Sequence, residues 1–259
     1  MGGGSRAVGD VEKAVERSIE EMHEKLAEAL SIGDMAKSAM CSKFHFSREF
    51  QRVTGVTPRR FLSALRLQKA KELLLATQLT VAEISQAVGY GSVGTFSSRF
   101  AISVGVSPSD YRRQNGFIDP PGIVSNGEIG GAVKGVVTGP PDADLGLIFL
   151  GLFPGRVPEG EPVSCTVLRR PGPFEIGNTP PGSWYLLGHS VPAAANEALT
   201  DWQEVHVGHL GPLEVPSGAS SQTVEFQLRS MRILDPPVLP ALQNIRSAAF
   251  AGGLLPADH

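Results

Sequence analysis

Cysteine is nearly absent from this chain. Cys41 and Cys165 are the two in 259 residues, and they fall on either side of a sharp change in composition. A disulfide framework is therefore excluded as the organiser of the fold, and a reducing cytoplasm fits. No apolar run is long enough to span a bilayer, and no charged-apolar-small leader opens the chain, so no membrane partner is expected. Proline is almost missing from the first part. Pro58 and Pro108 are the two before residue 116, and the other eighteen of twenty follow it. That step marks a boundary between two domains, which the length accommodates.

Catalytic constellations are lacking as well. No Ser/His/Asp, Cys/His or paired-carboxylate set has usable spacing, so neither enzymatic activity nor a cofactor is expected. His189, His206 and His209 have no Asp or Glu at a persuasive spacing, so no metal is expected either.

Charge is present but unevenly placed. Residues 31–115 carry twelve Lys/Arg and a net charge of +7, while residues 1–30 sum to −3 and residues 116–259 to −7. The overall −3 thus conceals a basic module suited to phosphate backbones, followed by an acidic half that should repel DNA.

One pattern occurs twice, fifty positions apart. The first copy is Ser42-Lys43-Phe44-His45-Phe46-Ser47-Arg48-Glu49-Phe50, then Gly55-Val56-Thr57-Pro58 and Phe61. The second is Ser92-Val93-Gly94-Thr95-Phe96-Ser97-Ser98-Arg99-Phe100, then Gly105-Val106-Ser107-Pro108 and Tyr111. A repeat at fixed offset means one supersecondary unit built twice. Upstream of the second copy, Thr80 and Glu83 have capping-box spacing, Val81, Ile84 and Val88 share a face, and Gly89-Tyr90-Gly91 breaks the helix before Ser92 caps the next. Upstream of the first, Ser31 caps and Ile32, Met35 and Ala39 face inward, with a turn one residue shorter. A short helix, a tight turn and a second capped helix make a helix-turn-helix unit, whose second helix enters the major groove.

At about 100° per residue, Phe46, Phe50 and Val53 form the buried stripe of the first such helix. Phe44, Ser47, Arg48 and Gln51 form the opposite stripe, flanked by Lys43 and Arg52. Arg can bond guanine bidentately, Gln can read adenine, and an aromatic can meet a thymine methyl. In the second unit the outward stripe is Gly94, Ser97, Ser98 and Ala101, all small, so the first helix should dominate sequence reading. Pro58 to Thr77 reads as a long connecting helix, and Ser107-Pro108 starts a final one.

These features resemble the DNA-binding domain of AraC/XylS-type transcription regulators over residues 31–115 or so. The resemblance rests on the doubled unit, the long helix between, and Gly89-Tyr90 … Phe96-Ser97-Ser98-Arg99-Phe100 … Gly105-Val106-Ser107-Pro108-Ser109-Asp110-Tyr111-Arg112. It implies two recognition helices in successive major-groove segments of double-stranded promoter DNA. By position it places base-reading sites on Phe44, Ser47 and Arg48, and on Val93, Gly94, Ser97 and Ser98. Lys43, Gln51, Arg52 and Arg99 complete the candidate DNA-binding set.

The expected organisation is a disordered start (1–9), an all-α doubled helix-turn-helix domain (10–115), a linker (116–130), a small all-β sandwich (131–230) and a tail (231–259). Asp10 to Leu30 reads as an added helix with Val11, Ala14, Val15, Ile19, Met22, Leu26 and Leu30 on one face. That face either packs on the DNA-binding domain or pairs in a homodimer. In the second half, strands are expected at Ala132–Thr138, Leu145–Phe153, Val163–Leu168, Phe174–Ile176, Trp184–Gly188, Val205–Val207, Leu213–Val215 and Val224–Leu228. Pro173 to Leu187 resembles the strand-turn-strand signature of transthyretin-like, carboxypeptidase-regulatory-type sandwiches, which implies binding or scaffolding. Trp184, Tyr185 and Trp202 line a ligand pocket or fill a core. Short helices are expected at Ala193–Leu199 and Pro240–Phe250.

Two function classes stay open. One is a cytoplasmic, nucleoid-associated regulator whose β domain senses a small effector, dimerises or touches RNA polymerase. The other is a protein-interaction adaptor that keeps the doubled fold but has lost specific DNA reading.

Overall fold

The computed structural model describes residues 3–116, 130–191, 204–218 and 221–240. The expected helices at Ala193–Leu199 and Pro240–Phe250, the greater part of the linker, and Trp202 lie outside the described residues. Seven helices come first: α1 (Gly3–Glu24), α2 (Ile32–Ser38), α3 (Lys43–Thr54), α4 (Pro58–Ala76), α5 (Val81–Ala87), α6 (Val93–Val104) and α7 (Pro108–Arg113).

The caps fall where the side chains allow them. The Thr80 hydroxyl accepts from the Glu83 amide at 3.2 Å, and the Glu83 carboxylate accepts from the Thr80 amide at 2.7 Å. Ser31 and Asp34 make the equivalent pair at α2. Ser42 and Ser92 cap α3 and α6 by accepting from the amides three residues on. Gly55 and Gly105 close these helices in the left-handed region, at φ 78° and 100°. At the turn between α2 and α3 the same backbone is held by Met40, at φ 54°, where the second unit has Gly89 at φ 80°.

The two units share one packing plan. Phe46, Phe50 and Phe61 form an edge-to-face series with centroids 5.5 Å apart. Phe96, Phe100 and Tyr111 repeat it at 5.7 and 5.6 Å. α1 covers the first unit, burying Val15, Ile19 and Met22. Its apolar face is thus occupied within the monomer, and the pairing alternative loses its seam. α1 differs from expectation at both ends. It starts at Gly3, inside the stretch expected to be disordered, because adding a residue to an anchored helix costs little. It stops at Glu24 because Arg66 takes the carbonyls of Leu26 and Glu28 at 3.0 and 2.7 Å.

The second half is a two-sheet sandwich. Its strands are β1 (Gly131–Thr138), β2 (Leu147–Phe153), β3 (Ser164–Leu168), β4 (Gly172–Thr179), β5 (Gly182–Val191), β6 (His206–Val215), β7 (Ser221–Gln227) and β8 (Arg229–Ser230). One sheet runs β4-β1-β7, with β1 and β7 parallel, and the other β3-β2-β5-β6-β8. Val133, Val137, Ile148, Leu150, Leu152, Ile176, Leu186 and Phe226 fill the space between. The Phe226 ring sits over Gly188 and Gly208, which face each other across β5 and β6. A Cβ at either would lie 2.4 or 2.7 Å from the ring.

The two strands expected at Val205–Val207 and Leu213–Val215 are one strand. Gly211-Pro212 reads as a turn but is absorbed as a bulge: Trp184 pairs with Leu213 and Leu186 with Leu210, so β6 carries one extra residue there.

The halves pack on each other. Val157 and Leu234 enter the first unit's core with Phe46, Phe50 and Phe61, and Leu239 enters the second unit's core with Phe96 and Phe100. Lys71, buried in α4, donates to the Val238 carbonyl at 3.3 Å, and the Leu239 amide donates to the Pro158 carbonyl at 3.0 Å. The tail after residue 231 turns back to the helices, while Val238 packs against the outer face of the five-stranded sheet.

Candidate nucleic-acid interface

On α3 the apolar stripe is buried and the opposite stripe is open. Phe46 and Phe50 are within the core, while Phe44 is 74% exposed, far more than its type favours without a partner. Arg48 lies over the Phe44 ring, 5.8 Å from its centroid, so aromatic and guanidinium are presented together. Lys43, Gln51 and Arg52 are exposed and Ser47 is half-buried, its hydroxyl donating to the Lys43 carbonyl at 2.9 Å. The Arg52 Nε is held by Glu49 at 2.8 Å, an i,i+3 pair that leaves its other nitrogens outward.

On α6 the corresponding surface is flatter. Val93, Gly94 and Ser98 are exposed and Ser97 is half-buried. A Cβ on Gly94 would meet nothing within 4 Å, so the face is open to close approach. Among the described residues Arg99 is not free. Its Nη2 donates to Glu159 at 3.5 Å, from a loop of the sandwich. The same carboxylate accepts from Arg60 and, at 3.2 Å, from the buried Ser103 hydroxyl. The Gly160 amide donates to the Ser103 carbonyl at 2.7 Å.

The helix ends carry a further signal that sequence reasoning passed over. α2, α5 and α7 each have a carboxylate in the first turn, Asp34, Glu83 and Asp110. α3 and α6 have none and are capped by neutral Ser42 and Ser92, and α1 and α4 have none either, so the feature is shared with helices outside the recognition pair. The positive N-terminal ends of α3 and α6 are left uncancelled, as a phosphate contact requires. The sandwich touches these helices at their opposite, C-terminal ends, through Gly55, Arg99 and Ser103.

A family model described as a helix-turn-helix domain matches residues 35–114. The match spans α2 from Met35 through α7, so both units fall within one helix-turn-helix domain. The chain is 37% identical over 93 residues to the MmsAB operon regulatory protein of Pseudomonas aeruginosa, covering 36% of this chain and 30% of that one. It is 39% identical over 88 residues to the Transposon Tn10 TetD protein of Escherichia coli, covering 34% and 64%. This chain therefore spans less than two thirds of either relative. Among solved structures, the C-terminal domain of AraT, a response regulator from Geobacillus stearothermophilus, is 32% identical with a TM-score of 0.38, covering 39% of this chain and 84% of that one.

Positive charge in the helix-turn-helix domain divides by use. Arg66 and Arg112 donate to backbone carbonyls at helix ends, Lys71 is buried, and Arg60 and Arg99 hold Glu159. The net +7 thus overstates the charge offered to DNA. The aromatic candidates of the sandwich separate as well. Trp184 faces the inner core, donating from Nε1 to the Pro180 carbonyl at 2.9 Å, while Tyr185 faces the other side of the sheet, beneath Arg156. Neighbours on one strand point apart, so these two cannot line one pocket. His206 and Gly208 likewise face the inner core, and His209 the outer face. No three metal-binding side chains converge among the described residues. No described helix is long and apolar enough to cross a membrane.

Glu159 joins the sandwich to both units of the domain. Glu159→Ala is expected to cost about 1–2 kcal/mol, discounted for the partly exposed arginines. Urea unfolding of the full chain measures it. A change inside ±0.3 kcal/mol would show that apolar packing alone holds the halves together.

Proposed function

We propose that this protein is a sequence-specific transcription regulator that sets α3 and α6 into successive major-groove segments of promoter DNA. The observation that carries this reading is the open stripe of Phe44, Ser47, Arg48 and Gln51 on a helix whose other face is fully buried. The regulator names borne by relatives of the helix-turn-helix domain support it. α3 reads bases, and α6, with its small surface, holds the register through backbone contacts. DNA as the ligand places the protein in the cytoplasm, at the nucleoid. The acidic sandwich makes no DNA contact of its own and serves as a sensing or protein-contact domain, RNA polymerase included. The transthyretin-like assignment rests on the strand-turn-strand sequence at 173–187, whose strands β4 and β5 lie in different sheets and so link the two layers.

The small stripe of α6 also favours a second reading, an adaptor without sequence preference. Titration of the full chain against genomic fragments and random duplexes at physiological salt separates the two. A regulator binds its sites at least 10³-fold more tightly than random DNA. Equal affinity for both would sink the regulator reading.

A further inference from the structure

A cleft of about 290 Å³ lies where the C-terminal end of α3 meets the outer face of the five-stranded sheet. Both halves of the chain build it. Arg52 and Gly55 come from the helix-turn-helix side, and Leu187, Val207 and His209 from β5 and β6. Arg156 comes from the loop after β2, and Arg232, Asp235 and Val238 from the tail.

The chemistry of its walls is unequal. Arg156 takes no ion-pair partner among the described residues. It lies 6.0 Å from the Tyr185 ring centroid, and a Cβ on Gly55 would be 3.0 Å from its Cδ. Asp235 is the carboxylate lining the cleft, and it is already saturated. It accepts from both terminal nitrogens of Arg229 at 2.6 and 2.7 Å and from the Arg232 amide at 2.8 Å. The Arg232 side chain stands 3.9 Å away from it. Of the guanidiniums lining the cleft, Arg52 is paired with Glu49 and Arg232 shares Asp235 with Arg229, which leaves Arg156 without a carboxylate among the described residues and the cleft with an excess of positive charge. Between them the floor is apolar, formed by Leu187, Val207 and Val238. The field is felt by His209. Desolvation lowers its pKa, Arg156 and Arg229 lower it further, Asp235 opposes them, and Arg232 adds the smallest lowering.

We propose that this cleft binds a small organic acid, its carboxylate held by Arg156 and Arg232 and its apolar body laid on Leu187, Val207 and Val238. A bare phosphate would satisfy the arginines but leave the apolar floor uncovered, and a guanidinium fork suits a planar carboxylate. Since α3 supplies one wall, including Arg52, occupancy is coupled to the recognition helix, and DNA must reciprocally change the acid's affinity. The proposal gives a ligand class to the sensing role above. It does not depend on DNA binding and is measured without DNA.

The test is calorimetric titration of the full chain with benzoate, succinate and inorganic phosphate. Benzoate is expected to bind saturably at one site per chain, more tightly than phosphate. Arg156→Gln should weaken it about tenfold or more, Arg156→Lys less, and Arg170→Gln, outside the cleft, not at all. In the unmodified chain, an NMR titration of His209 should show its pKa rising when benzoate is added, because the bound anion offsets the arginine field. Absence of saturable binding, an unmoved His209, or full affinity in Arg156→Gln would each overturn the proposal. So would phosphate binding as tightly as benzoate, since the apolar floor would then contribute nothing. Should Arg156→Gln leave the acids unbound as before but lower the salt dependence of DNA binding, the arginines serve the DNA backbone and the cleft is no effector site.

Discussion

Leu239→Ala is expected to destabilise the chain by about 2–5 kcal/mol, the cost of truncating a fully buried leucine. Leu239 is 0% exposed and sits among Phe96, Phe100 and Tyr111, although it lies more than a hundred residues beyond them in sequence. A surface tail would lose almost nothing on the same change. Equilibrium urea unfolding gives the number, and a loss below 0.5 kcal/mol would show that the tail is not part of the second unit's core. The same packing bears on the isolated fragment 31–115, which from sequence alone should bind DNA by itself. That fragment lacks Val15, Ile19 and Met22 from α1, Val157 from the sandwich, and Leu234 and Leu239 from the tail. It is expected to be far less stable than the full chain. The smallest unit for DNA work therefore includes α1, the sandwich and the tail through Leu239.

Features set by neighbouring residues were legible in the sequence; those set by distant ones were not. The doubled unit could be read because each part is specified within a few positions: Thr80 with Glu83, Ser92 with Thr95, Gly55 and Gly105 at their caps. The strands could be read because inner residues alternate, as Val133, Gly135 and Val137 do in β1. Alternation failed at Gly211-Pro212, where turn composition sits inside β6 and that strand takes it up as a bulge against β5. Opposite facing of Trp184 and Tyr185 was available from the period of two and was missed. No local signal could have placed Leu239 in a helical core, since Leu234 and Leu239 of this proline-rich tail match neither a helical nor a strand period. Nor could charge counting reveal that Arg60 and Arg99 hold Glu159, because a formal charge says nothing about its partner.

Arg48→Ala is expected to cost about 1–3 kcal/mol in binding to the operator and to relax preference at one or two base pairs. Arg48 projects from the exposed stripe of α3, held against Phe44 at 5.8 Å. That stacking restricts the side chain before DNA arrives, and less ordering is then lost on contact. Ser98→Ala on α6 should cost less, since a small hydroxyl on an open face meets mainly phosphate or water, and such contacts carry no sequence information directly. Lys43→Ala should weaken all sequences about equally and lower the salt slope by about one charge. Arg99→Ala should act differently again. Its guanidinium is tied to Glu159, so its loss should appear in stability before it appears in base preference. Titration of each variant against single-base operator variants at two salt concentrations distinguishes these behaviours. If Ser98 proves the larger determinant of sequence preference than Arg48, the unequal division of reading between α3 and α6 is wrong, and α6 must approach the bases closely enough for its small side chains to discriminate them by shape.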